Sequence, residues 1–459
     1  MEKTITVEEQ KKSLSKIIND IVKPIGLNRK FHIWMAFLTM LLVVCLYAYF
    51  IQLRDGLGVT GLRDYISWGM YIANFVFFVA ASLIGMLITA VLGLSGVKWI
   101  TPIARIAEMI AIGFAAVAGL VIVSDMGRPE RLIYVFIHGR IQSPILWDVT
   151  VVTTYVLIST ILLYLPLIPD LKILARNPAL PKWLQKIYEL LNVNWKGSPK
   201  QYELLHKAIK IMSILIVPVA LSIHTVTSWL FASTLRVGWN STIFGPYFVS
   251  GAFVAGVGAL AIAMFFFRKE YKLQDYITDD HFDKVGKLLV LVSLVYLYFN
   301  INEFLVPGYK EAPDGHTHLL ELLIGKHAVL FWFTQFIGLL LPIGLLIFKK
   351  FRKPTPMLIV GVLVVIGAWL KRYLIVIPTQ EHPFLPIQNV PENFIIYKPT
   401  LIEISITLAS FILTIMIITV LAKLFPIVPI WETAHEKGIH EPEKLALQLF
   451  PEQTQDSSI

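Results

Sequence analysis

The sequence predicts an all-α polytopic membrane protein, and three observations predict it. Of 459 residues, 56% are hydrophobic and only 15% charged, where soluble domains carry about a quarter charged residues. The apolar residues gather into ten stretches: Phe31 to Leu53, Ile66 to Leu94, Ile103 to Ser124, Leu146 to Ile168, Leu204 to His224, Phe244 to Phe267, Lys284 to Val306, His327 to Phe348, Thr355 to Ile377 and Leu401 to Phe425. Each is of the length, about 20 helical residues, that a hydrocarbon core of about 30 Å requires. Outside these stretches Lys and Arg divide unevenly between alternate loops, 23 on the side of the N-terminus against 9 on the other. The positive-inside rule then predicts a multi-pass protein of the cell membrane with both termini cytoplasmic. Topology accounts for the basic residues, so the net charge of +9 implies membrane lipid and no nucleic acid as a partner.

Taken in order, residues 1–30 place Lys3, Lys11, Lys12, Lys16 and Lys23 around Ile17, Ile18, Ile21 and Val22 at helical spacing. That pattern predicts an amphipathic helix on the cytoplasmic leaflet. Residues 31–425 form the ten-helix domain. Phe75-Val76 with Gly85 in the second stretch is echoed by Phe248-Val249 with Gly258 in the sixth. The echo predicts two four-helix bundles, about 66–224 and 244–377, with flanking helices at each end. The loop from Asp170 to Glu203, rich in Lys and Pro, is expected to be solvated and to skim the membrane. Residues 426–459 are polar and expected to be a partly ordered cytoplasmic tail. The single cysteine, Cys45, can hold neither a disulfide nor an iron–sulfur cluster, and no Cys-x-x-Cys-His haem attachment is present. No metal, haem or cluster is expected in this chain.

The chemistry is expected on the outward side. The third stretch ends in Asp125-Met126-Gly127-Arg128-Pro129-Glu130-Arg131, where Gly127 and Pro129 stop the helix and fix four charges at the membrane face. The second opens with Trp68, Tyr71 and Asn74 on one helix face, an indole, a phenol and an amide suited to a quinone carbonyl. The same residues also suit an aromatic interface belt with Asn74 bonded to a neighbouring helix. The fifth ends at His224, whose imidazole can exchange a proton near neutral pH or simply bridge helices. His224 with His327 would also suit a b-type haem. Glu108, Asp148 and Glu303 are further ionisable groups at membrane depth, and any of them would serve proton transfer. Arg105, three residues before Glu108, is expected to pair with it, and Lys371, Arg372 and Glu403 to snorkel or form structural ion pairs.

Trp68-Gly69-x-Tyr71-Ile72-x-Asn74-Phe75, Asp125-x-Gly127-Arg128-Pro129-Glu130, Ser222-x-His224-Thr225-Val226-Thr227 and Gly238-Trp239-x-Ser241-Thr242-x-Phe244-x-Pro246-Tyr247-Phe248 together resemble the NrfD/PsrC (polysulfide reductase membrane subunit) family. The resemblance implies a subunit of a multisubunit oxidoreductase with no cofactor of its own. It implies electron exchange between membrane menaquinone, or a similar quinone, and a docked iron–sulfur protein. A molybdopterin or multihaem cytochrome subunit would complete the complex. On that reading Trp68, Tyr71, Asn74, Asp125, Arg128 and His224 wall the quinone site, Asp125 and His224 exchange its protons, and Glu130, Arg131, Arg236 and Trp239 dock the partner. The ten-helix subgroup includes alternative complex III subunits, which commonly carry His and Asp where this chain has Leu83 and Leu230. The variant here looks closer to the sulfur-metabolism and quinone reductase members. An ion-coupled secondary transporter is the other class that ten helices with intramembrane charge would fit.

Overall fold

A computed structural model describes residues 7–234, 236–310, 312–382, 391, 394–439 and 442–450. Among them no strand occurs, and ten helices are long and apolar enough to cross a membrane: Arg29–Asp55, Met70–Leu92, Lys98–Asp125, Pro144–Tyr164, Pro199–Ala232, Phe244–Glu270, Asp279–Lys310, Ala328–Ile347, Pro354–Gln380 and Leu401–Leu424. We call these the first to tenth spans, the face bearing the N-terminal helix the near face, and the opposite one the far face. Their starts follow the expected local rules. Ser198 and Thr400 each cap a span with a capping box, and prolines open the fourth, fifth and ninth.

The second span packs on the third, the third on the fourth, the fourth on the fifth, and the fifth returns to the second. The sixth to ninth spans close a ring of their own in the same order. The rings meet where the second span lies against the sixth and ninth, and the fifth against the sixth, while the first and tenth pair outside the second and third. Each ring contains one π-helical segment, Met86–Leu92 in the second span and Phe336–Leu340 in the eighth, a feature often found where a helix is bent to make a site. In the second ring the backbones nearly touch. A Cβ added to Gly338 would stand 2.7 Å from the Gly367 Cα, so only glycine allows the eighth and ninth spans this approach.

The near face departs from expectation in four places. The helix Val7–Val22 buries Leu14, Ile17, Ile18, Ile21 and Val22 against the tail helices Ile430–Glu436 and Pro442–Leu449, so its apolar stripe covers protein rather than lipid. The described tail residues, 426–439 and 442–450, are therefore packed; residues 440–441 and 451–459 lie outside the described residues. The loop after the fourth span folds into helices Leu167–Ala175 and Lys182–Leu191, with Leu171, Leu174, Leu184 and Tyr188 fully buried. Finally, Arg105 pairs not with Glu108 but with Asp170, Nη1 to Oδ2 at 2.7 Å, both side chains sealed from solvent. Asp170 also accepts the backbone N–H groups of Ile430 (3.0 Å) and Trp431 (2.9 Å), while Arg105 donates to the carbonyls of Pro426 and Pro166. Sharing the buried charge among so many hydrogen bonds makes the pair tolerable. Burial also pushes the neighbouring Glu432 carboxyl up to about 7, against the pull of Arg105.

Candidate functional site

The far half of the first ring holds the sequence-predicted quinone-site residues, in separate groups. Tyr71 donates its hydroxyl to Gln52 Oε1 (2.5 Å), and Gln52 Nε2 donates to the Ser124 carbonyl (2.7 Å), beside Asp125. This ties the starts and ends of the first three spans together at one depth. Asp125 Oδ1 is buried and has no hydrogen-bond partner, and Glu403 is the charge that acts on it. Asn74 is committed to structure: its Nδ2 donates to Thr407 Oγ1 and its Oδ1 accepts from Trp369 Nε1, both at 2.7 Å. The amide points to the ninth and tenth spans.

His224 is fully buried, and neither ring nitrogen has a hydrogen-bond partner. One turn further on, Thr227 donates to Asp148 Oδ1 at 2.6 Å, joining the fifth span to the fourth. No hydrogen bond links His224 to Asp125; the charge that reaches His224 is Arg372 of the ninth span. Arg128 stands exposed on the surface with Glu130 and Arg131, and it makes no ion pair with Asp125. Arg128 therefore does not wall a site beside Asp125 and His224.

Above these groups lies an aromatic lid. Trp68 stacks on Trp239 at 5.7 Å and meets Phe231 edge-on, and Trp239 is buried with its Nε1 donated to the Ile375 carbonyl at 2.8 Å. Trp239 is thus a packing residue, not a docking one, and Arg236 is half-buried with a contact to the Tyr65 carbonyl. The sequence assigns both to docking because they lie in the polar loop between the fifth and sixth spans, and their inward packing is set by contacts with residues just before the second span and in the ninth.

The second ring contains a polar network that the sequence does not announce. Tyr296 donates to Tyr247 Oη (3.3 Å), Tyr247 to Asn300 Oδ1 (2.9 Å), and Asn300 Nδ2 to Gln335 Oε1 (2.6 Å). Lys371 and Arg372 do not snorkel. They are 6% and 2% exposed, with the Lys371 ammonium 4.4 Å from the centre of the Phe304 ring and the Arg372 guanidinium 4.9 Å from that of Phe248. Glu303 lies beside Ser241, facing Lys371. One signal for this centre is present in the sequence, since two adjacent cations at membrane depth are rarely incidental.

On the far face, Glu381 accepts from Lys326 (2.5 Å), from the Tyr397 N–H (2.8 Å) and lies 2.8 Å from His327 Nε2. Burial pushes this carboxyl up, but those hydrogen bonds outweigh it and hold it below the usual range. His327 is thereby engaged and its Nε2 is not open to a haem iron. Glu403 is equally structural: it takes the Tyr397 hydroxyl, the Gly61 N–H and its own helix cap. His318, whose imidazole burial and the neighbouring His382, His327 and Lys371 push down to about 3, completes the belt.

These features define an integral membrane protein with a membrane-depth polar centre in each of two helical rings. The chain belongs to the family described as polysulphide reductase, NrfD, whose model matches residues 58–383. It is 29% identical to a putative membrane subunit of a dimethyl sulfoxide reductase of Halobacterium salinarum, over 73% of this chain and 74% of the relative. It is 26% identical to one subunit of the selenate reductase of Mesobacillus selenatarsenatis, over 85% and 93%. A shorter stretch, 32% of this chain and 35% of the relative, is 33% identical to the integral membrane subunit of a menaquinone reductase of Nitratidesulfovibrio vulgaris. All three relatives are named as subunits of reductases, two of them as membrane subunits.

Proposed function

We propose that this chain is the quinone-reactive membrane subunit of a multisubunit respiratory oxidoreductase. It exchanges electrons between menaquinone, or a similar quinone, and an iron–sulfur protein docked on the far face, with a molybdopterin or multihaem subunit beyond it. The observation that carries the reading is His224. A fully buried imidazole with both nitrogens unpartnered leaves polar atoms unsatisfied at a cost of about 1–3 kcal/mol, and a quinone oxygen supplies the missing partner. The names of two relatives, the menaquinone reductase of Nitratidesulfovibrio vulgaris and a menaquinol oxidoreductase subunit of Archaeoglobus fulgidus, support that substrate class.

The quinone ring therefore sits in the far half of the first helical ring, against His224 under the Trp68 lid. Asp125, with its open Oδ1, passes the proton to the far face, and Asp148 steadies the fifth span through Thr227. Tyr71 orients the Asp125 end of the third span through Gln52. Glu130 and Arg131 remain the exposed charges for docking. Glu108 toward the near end of the third span and Glu303 in the second ring serve proton movement only if protons cross the membrane.

In the assembled complex, His224→Ala and Asp125→Asn each lower quinol turnover by at least about tenfold, because positioned acid–base groups supply at least that much. Assembly is unaffected. Wild-type turnover in both variants contradicts the site. Both termini are cytoplasmic on this reading. Glu130→Cys and Asn240→Cys, each made with Cys45→Ser, then react with an impermeant maleimide from outside, and Lys196→Cys does not; the reverse pattern inverts the assignment.

A further inference from the structure

The sixth to ninth spans enclose a cavity of about 20 Å³. Its polar lining comprises Tyr296, Asn300, Thr334, Gln335, Lys371 and Arg372, which is two cations and no carboxylate. Arg372 Nη1 is buried with no partner, and its Nη2 reaches only the Phe248 carbonyl at 3.4 Å. The hydrogen-bond chain fixes the remaining donors. Because Tyr247 occupies Asn300 Oδ1 and Asn300 occupies Gln335 Oε1, the Gln335 amide keeps its NH2 group for the cavity.

A buried guanidinium without a counter-charge is unfavourable, and the usual remedy is a paired anion. Glu303 does not supply one to Arg372: it lies beside Ser241, outside the cavity, and acts on Lys371. The volume admits about one small sphere, which suits a small anion and is too little for a quinone ring. Water fits but brings no charge, and a metal cation is repelled by both basic side chains. We propose that this cavity is a binding site for a single small anion of the halide class, held by Arg372 and the Gln335 amide, with Lys371 supplying longer-range attraction. The inference stands apart from the quinone reading, since it concerns the other ring and rests on different residues.

The test uses the full-length protein purified in detergent in sodium gluconate and transferred to sodium bromide. A structure determined at the bromine absorption edge shows one anomalous peak between Arg372 and Gln335. Replacing gluconate with chloride at constant ionic strength raises the unfolding midpoint of the wild type saturably. Arg372→Gln abolishes the response. Gln335→Glu also abolishes it, because its carboxylate takes the anion's place, and it keeps the test decisive if Arg372→Gln does not fold. A cavity without anomalous signal in bromide, or a chloride response that persists in Gln335→Glu, overturns the proposal.

Discussion

The two helical rings share one order of packing and carry opposite chemistry at membrane depth. The first holds an unpartnered histidine, an open carboxylate at Asp125 and a carboxylate bonded to Thr227 at Asp148. The second holds Lys371 and Arg372 among aromatic rings and a spent chain of amides and phenols. A repeated scaffold does not therefore imply a repeated site. Acceptors and titratable groups suit the first ring to a substrate that gives up protons with its electrons, whereas the second sets Glu303 against Lys371 and leaves the Arg372 guanidinium without a carboxylate.

The largest effect that sharpens the contrast comes from the near face, on which the first ring is anchored. Asp170→Asn leaves Arg105 buried without its charge partner, and loss of one member of such a pair costs about 3–5 kcal/mol. The tail helix Ile430–Glu436 loses acceptor strength with it, so proteolysis of the tail in the folded protein accelerates. A smaller effect belongs to the second ring alone. Gly367→Ala forces a Cβ to within contact of Gly338, and overpacking of this kind costs about 1–3 kcal/mol. Thermal unfolding reads it, with quinol turnover per folded protein retained. If turnover falls in proportion, the rings are not functionally separate.

Asn74→Leu tests whether that residue belongs to the seam between the rings or to the quinone. It orphans the Trp369 indole N–H, while the Thr407 hydroxyl keeps its bond to the Glu403 carbonyl, for a loss of about 1–3 kcal/mol in stability. A loss confined to quinone affinity would return Asn74 to the binding site. The smallest effect is a pH dependence. The folded-state value of His318 lies below the unfolded one of about 6.5, so the unfolded chain binds the proton first. Stability from this group is complete above about pH 6.5 and is lost as pH falls toward 3. His318→Gln flattens that acid limb in pH-dependent melting curves.

The ten spans, the far-face position of the Asp125 turn and the family were legible because each rests on local signals: run length, a charged helix stop, and short motifs. The partners of the intramembrane charges were not. Arg105 sits three residues from Glu108, but its ion pair is with Asp170, made by a helix that returns across the near face. Asn300, Gln335, Tyr247 and Tyr296 each look ordinary in their own helix and become a network only when three spans meet. The packed tail is hidden from the sequence because its helices, seven and eight residues long, are too short for a periodicity argument. His224 stands out by its residue type and depth, but its lack of any hydrogen-bond partner is visible only in three dimensions.

The central claim, that quinone binds in the first ring and not the second, is tested most directly by photolabelling the assembled complex with an azido-menaquinone. The account predicts label on peptides of the fourth and fifth spans, Pro144–Tyr164 and Pro199–Ala232, competed by unlabelled quinone and lost in His224→Ala. Competed label on the seventh to ninth spans, Asp279–Lys310 to Pro354–Gln380, with none on the fifth, would contradict it.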